Sequence, residues 1–177
     1  MHWITALGAL LLAACATSPV FVAQDGAFVS PAAGIRAPLY LEGCSPGVLR
    51  EGEAAGEATV HYACDGVWLT VRVSAAGWPS AEAALASVQT PRGWSVRDTT
   101  RPVQVQTPTG VREFRVLNVQ DERYRSLRGR VLSSFTPAAG RPRVIFSSEW
   151  ESSDFRADGP GLLHALIGAT IITEPAP

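Results

Sequence analysis

The stretch "EATVHYACDGVWLTVRV", residues 57–73, decides the fold. Apolar and polar residues alternate in each half of it, and this period of two is typical of a β-strand with one buried face. Between the halves lies Asp65-Gly66, a strong signal for a two-residue turn. The stretch therefore predicts a β-hairpin. Its expected core-facing residues are Ala58, Val60, Tyr62, Cys64, Val67, Leu69, Val71 and Val73, and its expected outward-facing residues are Thr59, His61, Trp68, Thr70 and Arg72.

The segments that flank the hairpin predict two helices and a meander of strands. Residues 81–88 have apolar positions at i, i+3, i+4 and i+7, the spacing of a short amphipathic helix. Residues 102–150 contain four alternating segments separated by short turns, which favours an antiparallel meander. Residues 158–171 combine a cap residue with a broad apolar face and predict a second helix. The expected fold class is α+β, an antiparallel β-sheet (meander) with two helices packed on one face.

The N-terminus carries a signal for export. Residues 4–14 form an apolar run that is shorter than the roughly 20 residues of a membrane-spanning helix and is typical of a signal peptide. The tetrad Leu12-Ala13-Ala14-Cys15 resembles the lipobox of bacterial lipoproteins, although no basic residue precedes the run. The resemblance implies that Cys15 is acylated and anchors the chain to a membrane. Cleavage elsewhere, or docking of the segment into the domain, are the alternatives.

The predicted organisation has three parts. Residues 1–14 are a lipoprotein signal peptide, residues 15–26 a tether, and residues 27–174 a single α+β domain, which suits a chain of 177 residues. Ala16 follows the cysteine where enterobacterial lipoproteins retained at the inner membrane carry Asp. The resemblance therefore implies a location on the periplasmic face of a bacterial membrane and favours the outer membrane.

Cys44 and Cys64 remain once Cys15 is assigned to the lipid anchor. In an oxidising periplasm two cysteines allow one pairing, so we predict a Cys44–Cys64 disulfide. Free thiols and a redox-catalytic role are the alternatives. Because the sequence has no C-x-x-C motif, it disfavours the catalytic one.

The order of the predicted elements resembles the PsbP-like fold, which includes the DcrB-like bacterial lipoproteins. The likeness rests on "SPAAGIRAPLYL" before the hairpin, on "PRGWSV" after the first helix, and on "LLHALIGATII" in the last helix. A departure is the segment of residues 42–58, which is rich in Gly and Glu. The resemblance implies an accessory or binding module of the cell envelope, although a fold alone does not fix function.

Motifs for catalysis or metal binding are missing from the sequence. The sequence has no G-x-S-x-G motif, so no nucleophilic serine is indicated as a partner for His61 or His164. It also has no His or Cys residues at the spacings typical of zinc sites. Glu149, Glu151 and Asp154 suit either a weak site for a hard cation or a solvated rim, and the rim is the preferred interpretation. We therefore expect no catalytic residue, no metal site and no cofactor.

The charge distribution is uneven along the chain. Residues 92–143 carry eleven Arg and four acidic residues, although the whole chain has a net charge of −1. Arg forks suit carboxylates and phosphates, so an Arg cluster on adjacent strands would bind an anionic headgroup or an acidic partner. Pairing of these Arg with nearby acidic side chains is the alternative. The candidate binding residues are Arg128, Arg130, Arg141 and Arg143.

These patterns together predict a lipid-anchored accessory or binding protein of the cell envelope that performs no chemistry. Its expected partners are the membrane, through Cys15, and an envelope protein or anionic headgroup. Nucleic acid is not expected, because the chain lacks a basic excess. An envelope hydrolase and a carrier of a lipid or small apolar ligand are the alternatives.

Overall fold

The computed structural model describes residues 19–52, 54–88, 91–121, 128–151 and 158–173. Within them, eleven strands form two antiparallel sheets, and two helices pack against the larger one. The strands are β1 (Val22–Gln24), β2 (Ala27–Ser30), β3 (Ile35–Pro38), β4 (Val48–Glu51), β5 (Glu57–Cys64), β6 (Val67–Ser74), β7 (Trp94–Thr107), β8 (Gly110–Asp121), β9 (Arg128–Phe135), β10 (Val144–Glu151) and β11 (Ile171–Ile172), and the helices are α1 (Ala81–Ala86) and α2 (Gly159–Ala169).

The large sheet has the strand order β4-β5-β6-β10-β9-β8-β7. The predicted hairpin is confirmed, because β5 pairs with β6 from Cys64 opposite Val67 to Glu57 opposite Ser74. The four strands that follow α1 are also neighbours in chain order. β10 then closes the meander onto the hairpin by pairing with β6, which sets Thr70 opposite Ser147. This long-range pairing builds the surface described below.

The inner face of the large sheet is the face that packs against the small sheet and α2. The small sheet has the order β1-β2-β3-β11. Alternate residues of β5 and β6 point to the inner face and are buried, as their period of two predicts. The Tyr62 hydroxyl donates a hydrogen bond of 2.6 Å to the Pro38 carbonyl and so links the two sheets. Other members of this core are Phe21, Phe28, Ile35, Phe114, Phe146, Leu163, Leu166 and Ile167.

The predicted α+β class is wrong, because the described structure is mainly β. α1 has six residues and α2 eleven, whereas β7 alone has fourteen. Residues 27–38 form two strands of a second sheet. Pro31 and Gly34 lie in the turn between them, and Gly34 has a φ of +67°. The expected end of the second helix is also a strand, since Ile171 and Ile172 pair with β3.

The expectation that both helices share one face is also wrong. α2 packs on the inner face, while α1 contacts β9 on the opposite, outer face. The physical reason is that β9 and β10 each carry an apolar residue on the outer face as well. Leu132 and Ile145 alternate with the inward-facing Phe146 and Val131 and are themselves buried. Outward apolar residues of this kind need a cover of their own, and α1 packs against β9 on this face.

The predicted disulfide is present between Cys44 and Cys64. It joins the loop that precedes β4 to the end of β5, beside a hydrogen bond of 2.8 Å from the Ser45 N–H to the Ala63 carbonyl. The bridge therefore fixes where β4, the edge strand of the large sheet, begins.

Candidate functional site

An open groove of about 830 Å³ lies on the outer face of β4, β5, β6 and β10. We call it the outer groove. Its floor consists of strand side chains, and one wall is formed by the residues that follow α1. The lining residues are Arg50, Glu51, Gly52, Glu57, Thr59, His61, Trp68, Thr70, Arg72, Ser87, Val88, Arg130, Ile145, Ser147, Glu149 and Glu151.

The strand register brings the floor residues together in rows across the sheet. His61, Thr70 and Ser147 form one row, because β6 pairs with β5 on one side and with β10 on the other. The hairpin contributes the outward-facing residues that its alternation predicts, which are Thr59, His61, Trp68, Thr70 and Arg72. The sequence thus correctly predicts the part of the groove floor that the hairpin forms. It does not predict that β10 forms another part.

Neutral hydrogen-bonding groups occupy the centre of the floor. The Thr70 and Ser147 hydroxyl oxygens are 2.5 Å apart and share a hydrogen bond. Burial, and to a smaller extent the charge of Arg50, lowers the pKa of His61 below its ordinary value. The imidazole is therefore neutral at pH 7 and offers one donor and one acceptor.

Two ion pairs flank this row. Arg72 donates to the Glu57 carboxylate at 2.5 Å, and Arg130 donates to Glu149 with an Nε–Oε2 distance of 2.8 Å. Each guanidinium also lies over an indole ring, Arg72 over Trp78 at 5.6 Å and Arg130 over Trp94 at 5.9 Å.

These contacts hold the guanidinium groups in fixed orientations. Each positive charge in a pair is also balanced by a carboxylate. The ion pairs therefore make these parts of the groove floor polar without making them cationic.

Trp68 is the large apolar side chain of the groove that stays accessible. It lies opposite Glu149 on β10, and 50% of its surface is exposed. Its neighbours along β6, Val67 and Leu69, are fully buried on the other face. An indole in this position offers an apolar ring face beside polar groups.

The groove does not assemble a catalytic triad among the residues that the structure describes. In that part of the chain, His61 makes no hydrogen bond to a serine or a carboxylate, and His164 is exposed on α2. No group of three His, Cys, Asp or Glu side chains there could hold a metal ion. Of the predicted acidic cluster, Asp154 lies outside the described residues, while Glu149 pairs with Arg130.

The four candidate arginines are placed at opposite ends of the β9–β10 hairpin. Arg128 and Arg130 lie opposite Glu151 and Glu149, whereas Arg141 and Arg143 lie at the turn. Seven residues of strand separate the two ends, which corresponds to about 24 Å. The four arginines therefore do not form one cluster, because an antiparallel hairpin carries its first residues away from its turn. Arg130 instead pairs with Glu149, as the alternative interpretation predicts.

Each end of the hairpin has its own contacts. Arg130 lies in the outer groove, and the side chain of Arg128 is outside the described part. Arg141 donates to the Thr173 carbonyl at 3.1 Å. Arg141 and Arg143 also line a separate cavity of about 310 Å³ beside Trp78.

The predicted anchor residue Cys15 lies outside the described residues. Part of the segment 15–26 assigned to the tether belongs to the folded domain, since Phe21 is buried in the core and β1 starts at Val22. Neither helix of the described part is long and apolar enough to cross a bilayer. No family model matches the chain, and no curated protein matches it at a significant level.

Proposed function

We propose that this chain is a non-catalytic binding domain of the bacterial cell envelope, held on a membrane by acylated Cys15, and that the outer groove is its binding site. One observation carries the choice of site. The groove combines a volume of about 830 Å³ with an indole, Trp68, that is half exposed. Concave sites of this size that mix apolar and oriented polar groups are typical of ligand binding.

The sequence supports the membrane part of the proposal. The lipobox-like residues 12–15 precede the buried Phe21 by only a few positions. Six residue steps from Cys15 to Phe21 span at most roughly 20 Å when extended. An acylated chain would therefore hold the domain close to the membrane surface, where its ligand would be an envelope component.

A groove-filling variant tests the proposed site. Thr70→Tyr places a ring on the groove floor, and Val111→Tyr places the same ring on an exposed position of β8 outside the groove. We expect Thr70→Tyr to reduce retention of the full chain on isolated cell envelopes at least tenfold, and Val111→Tyr to leave it unchanged. Both are compared in a Cys15→Ser background, so that acylation does not hold the chain on the membrane. Equal retention of both variants would contradict the site.

A second measurement tests the absence of chemistry. The purified chain is treated with a fluorophosphonate probe, which labels activated serines. We expect no labelling, because His61 is not hydrogen-bonded to Ser147 or to a carboxylate. Labelling that is lost in Ser147→Ala would favour the alternative of an envelope hydrolase.

A further inference from the structure

We propose that the ligand of the outer groove is a neutral oligosaccharide, with one sugar ring stacked on Trp68. This inference rests on the proposed function and adds the chemical class of the ligand. Three independent observations support this ligand class: the charge balance of the groove, the exposed indole and the hydroxyl-rich floor.

Charge balance points to a neutral ligand. The groove lining contains three Arg and four Glu side chains, and two of the Arg already bond to Glu. An anion would have to displace Glu57 from Arg72 or Glu149 from Arg130, and it would also meet the other carboxylates. A cation would meet the Arg side chains in the same way. A neutral polar ligand leaves both pairs intact.

The position of Trp68 points to a ligand with both apolar and polar surface. Its ring is half exposed, although the chain buries most other large apolar side chains of β5 and β6. Thr70, two residues further along the same face, lies about 7 Å away along the strand. A sugar ring matches this arrangement, because its C–H face covers an indole while its hydroxyl groups reach the neighbouring polar side chains.

The hydrogen-bonding groups point to a ligand that donates and accepts at the same place. Thr59, Thr70 and Ser147 supply hydroxyls, and neutral His61 supplies a donor and an acceptor. Sugar hydroxyls also do both. The Arg72–Glu57 pair adds an oriented donor beside an oriented acceptor, which suits two adjacent hydroxyl groups.

The groove is bounded by β4, an exposed edge strand, and this suggests an extended peptide as the competing occupant. β4 has only four residues and carries Arg50 and Glu51, features that protect an edge from pairing with another strand. The sugar is therefore the better match, and a peptide is an outcome of the test.

The test uses the full chain in a sugar-free zwitterionic detergent. It is titrated with chitotetraose, cellotetraose and maltotetraose by isothermal calorimetry. We expect at least one of them to bind with a dissociation constant of about 1 mM or below. Trp68→Ala should weaken this binding at least tenfold, and Trp68→Tyr should retain part of it. Tyr40→Ala removes a more exposed aromatic outside the groove and should leave the affinity unchanged.

Each other outcome overturns the inference. If no tetrasaccharide binds but Thr70→Tyr still loses envelope retention, the proposed function stands and a neutral oligosaccharide is rejected as the ligand. If Trp68→Ala binds the tetrasaccharide as tightly as the wild-type chain does, Trp68 is not the stacking site. Tighter binding of a polyanionic saccharide, or of an unstructured peptide, than of the neutral tetrasaccharides contradicts the ligand class. If envelope retention is also unchanged in Thr70→Tyr, the proposed function fails as well.

Discussion

Replacing both cysteines of the disulfide tests the stability that the bridge provides. Cys44 and Cys64 are 20 residues apart in sequence. In the chain-entropy relation, closing a loop of this length destabilises the unfolded state by about 3 kcal/mol at 25 °C. Cys44→Ala/Cys64→Ala should therefore lower the free energy of unfolding by about 3 kcal/mol, and Tm by roughly 6–12 °C for a domain of this size.

Urea unfolding of the full chain, followed by tryptophan fluorescence, measures this difference. The native fold should persist without the bridge, because the neighbouring backbone bond from Ser45 to Ala63 remains. A reductant should destabilise the wild-type chain by the same amount and leave the double variant unchanged. A loss below about 1 kcal/mol in the variant would refute the loop-closure reasoning. A loss above about 6 kcal/mol would show that the bridge holds native packing instead.

Three further changes test the packing and the electrostatics. In Gly129→Ala the new Cβ would clash with the Trp150 ring, so we expect a loss of about 1–3 kcal/mol in the free energy of unfolding, measured in urea. Leu166→Ala empties a fully buried position of α2 and should cost about 2–5 kcal/mol in the same assay, whereas an unchanged midpoint would contradict the described core. The lowered pKa of His61 means that the unfolded state binds the proton more readily, so stability should fall as pH drops through 6.5 toward the folded-state pKa. His61→Gln should flatten this part of the stability profile, and an identical slope would show that another group is responsible.

The sequence predicted the local β-structure well because the period of two is a local property. Residues 57–73 showed both strands, their turn and their buried face, and the pairing of Cys44 with Cys64 followed from the small number of cysteines. The predicted fold class was wrong because it depends on whether other elements pack on one face or on both faces of each strand. Leu132 and Ile145 alternate with inward-facing residues and are nevertheless buried, and α1 packs against β9 on their face of the sheet.

The candidate site was less predictable because it depends on register between distant strands. Thr70 and Ser147 are 77 residues apart in sequence, and only the β6–β10 pairing joins them. The Arg-rich segment was judged by composition, whereas the antiparallel register separates Arg130 from Arg143 and places Arg130 beside Glu149. An outward-facing tryptophan, Trp68, was the one local signal in the sequence that pointed to the groove.

Backbone amide and indole N–H chemical shifts of the full chain, recorded during titration with the tetrasaccharide that binds best, test the central claim most directly. We predict that the shifts are confined to the outer groove. The largest should fall on the Trp68 indole and on the amides of Thr59, Thr70 and Ser147. Shifts centred on the separate cavity beside Arg143, or no shifts at all at saturating concentrations of each tetrasaccharide, would contradict the account.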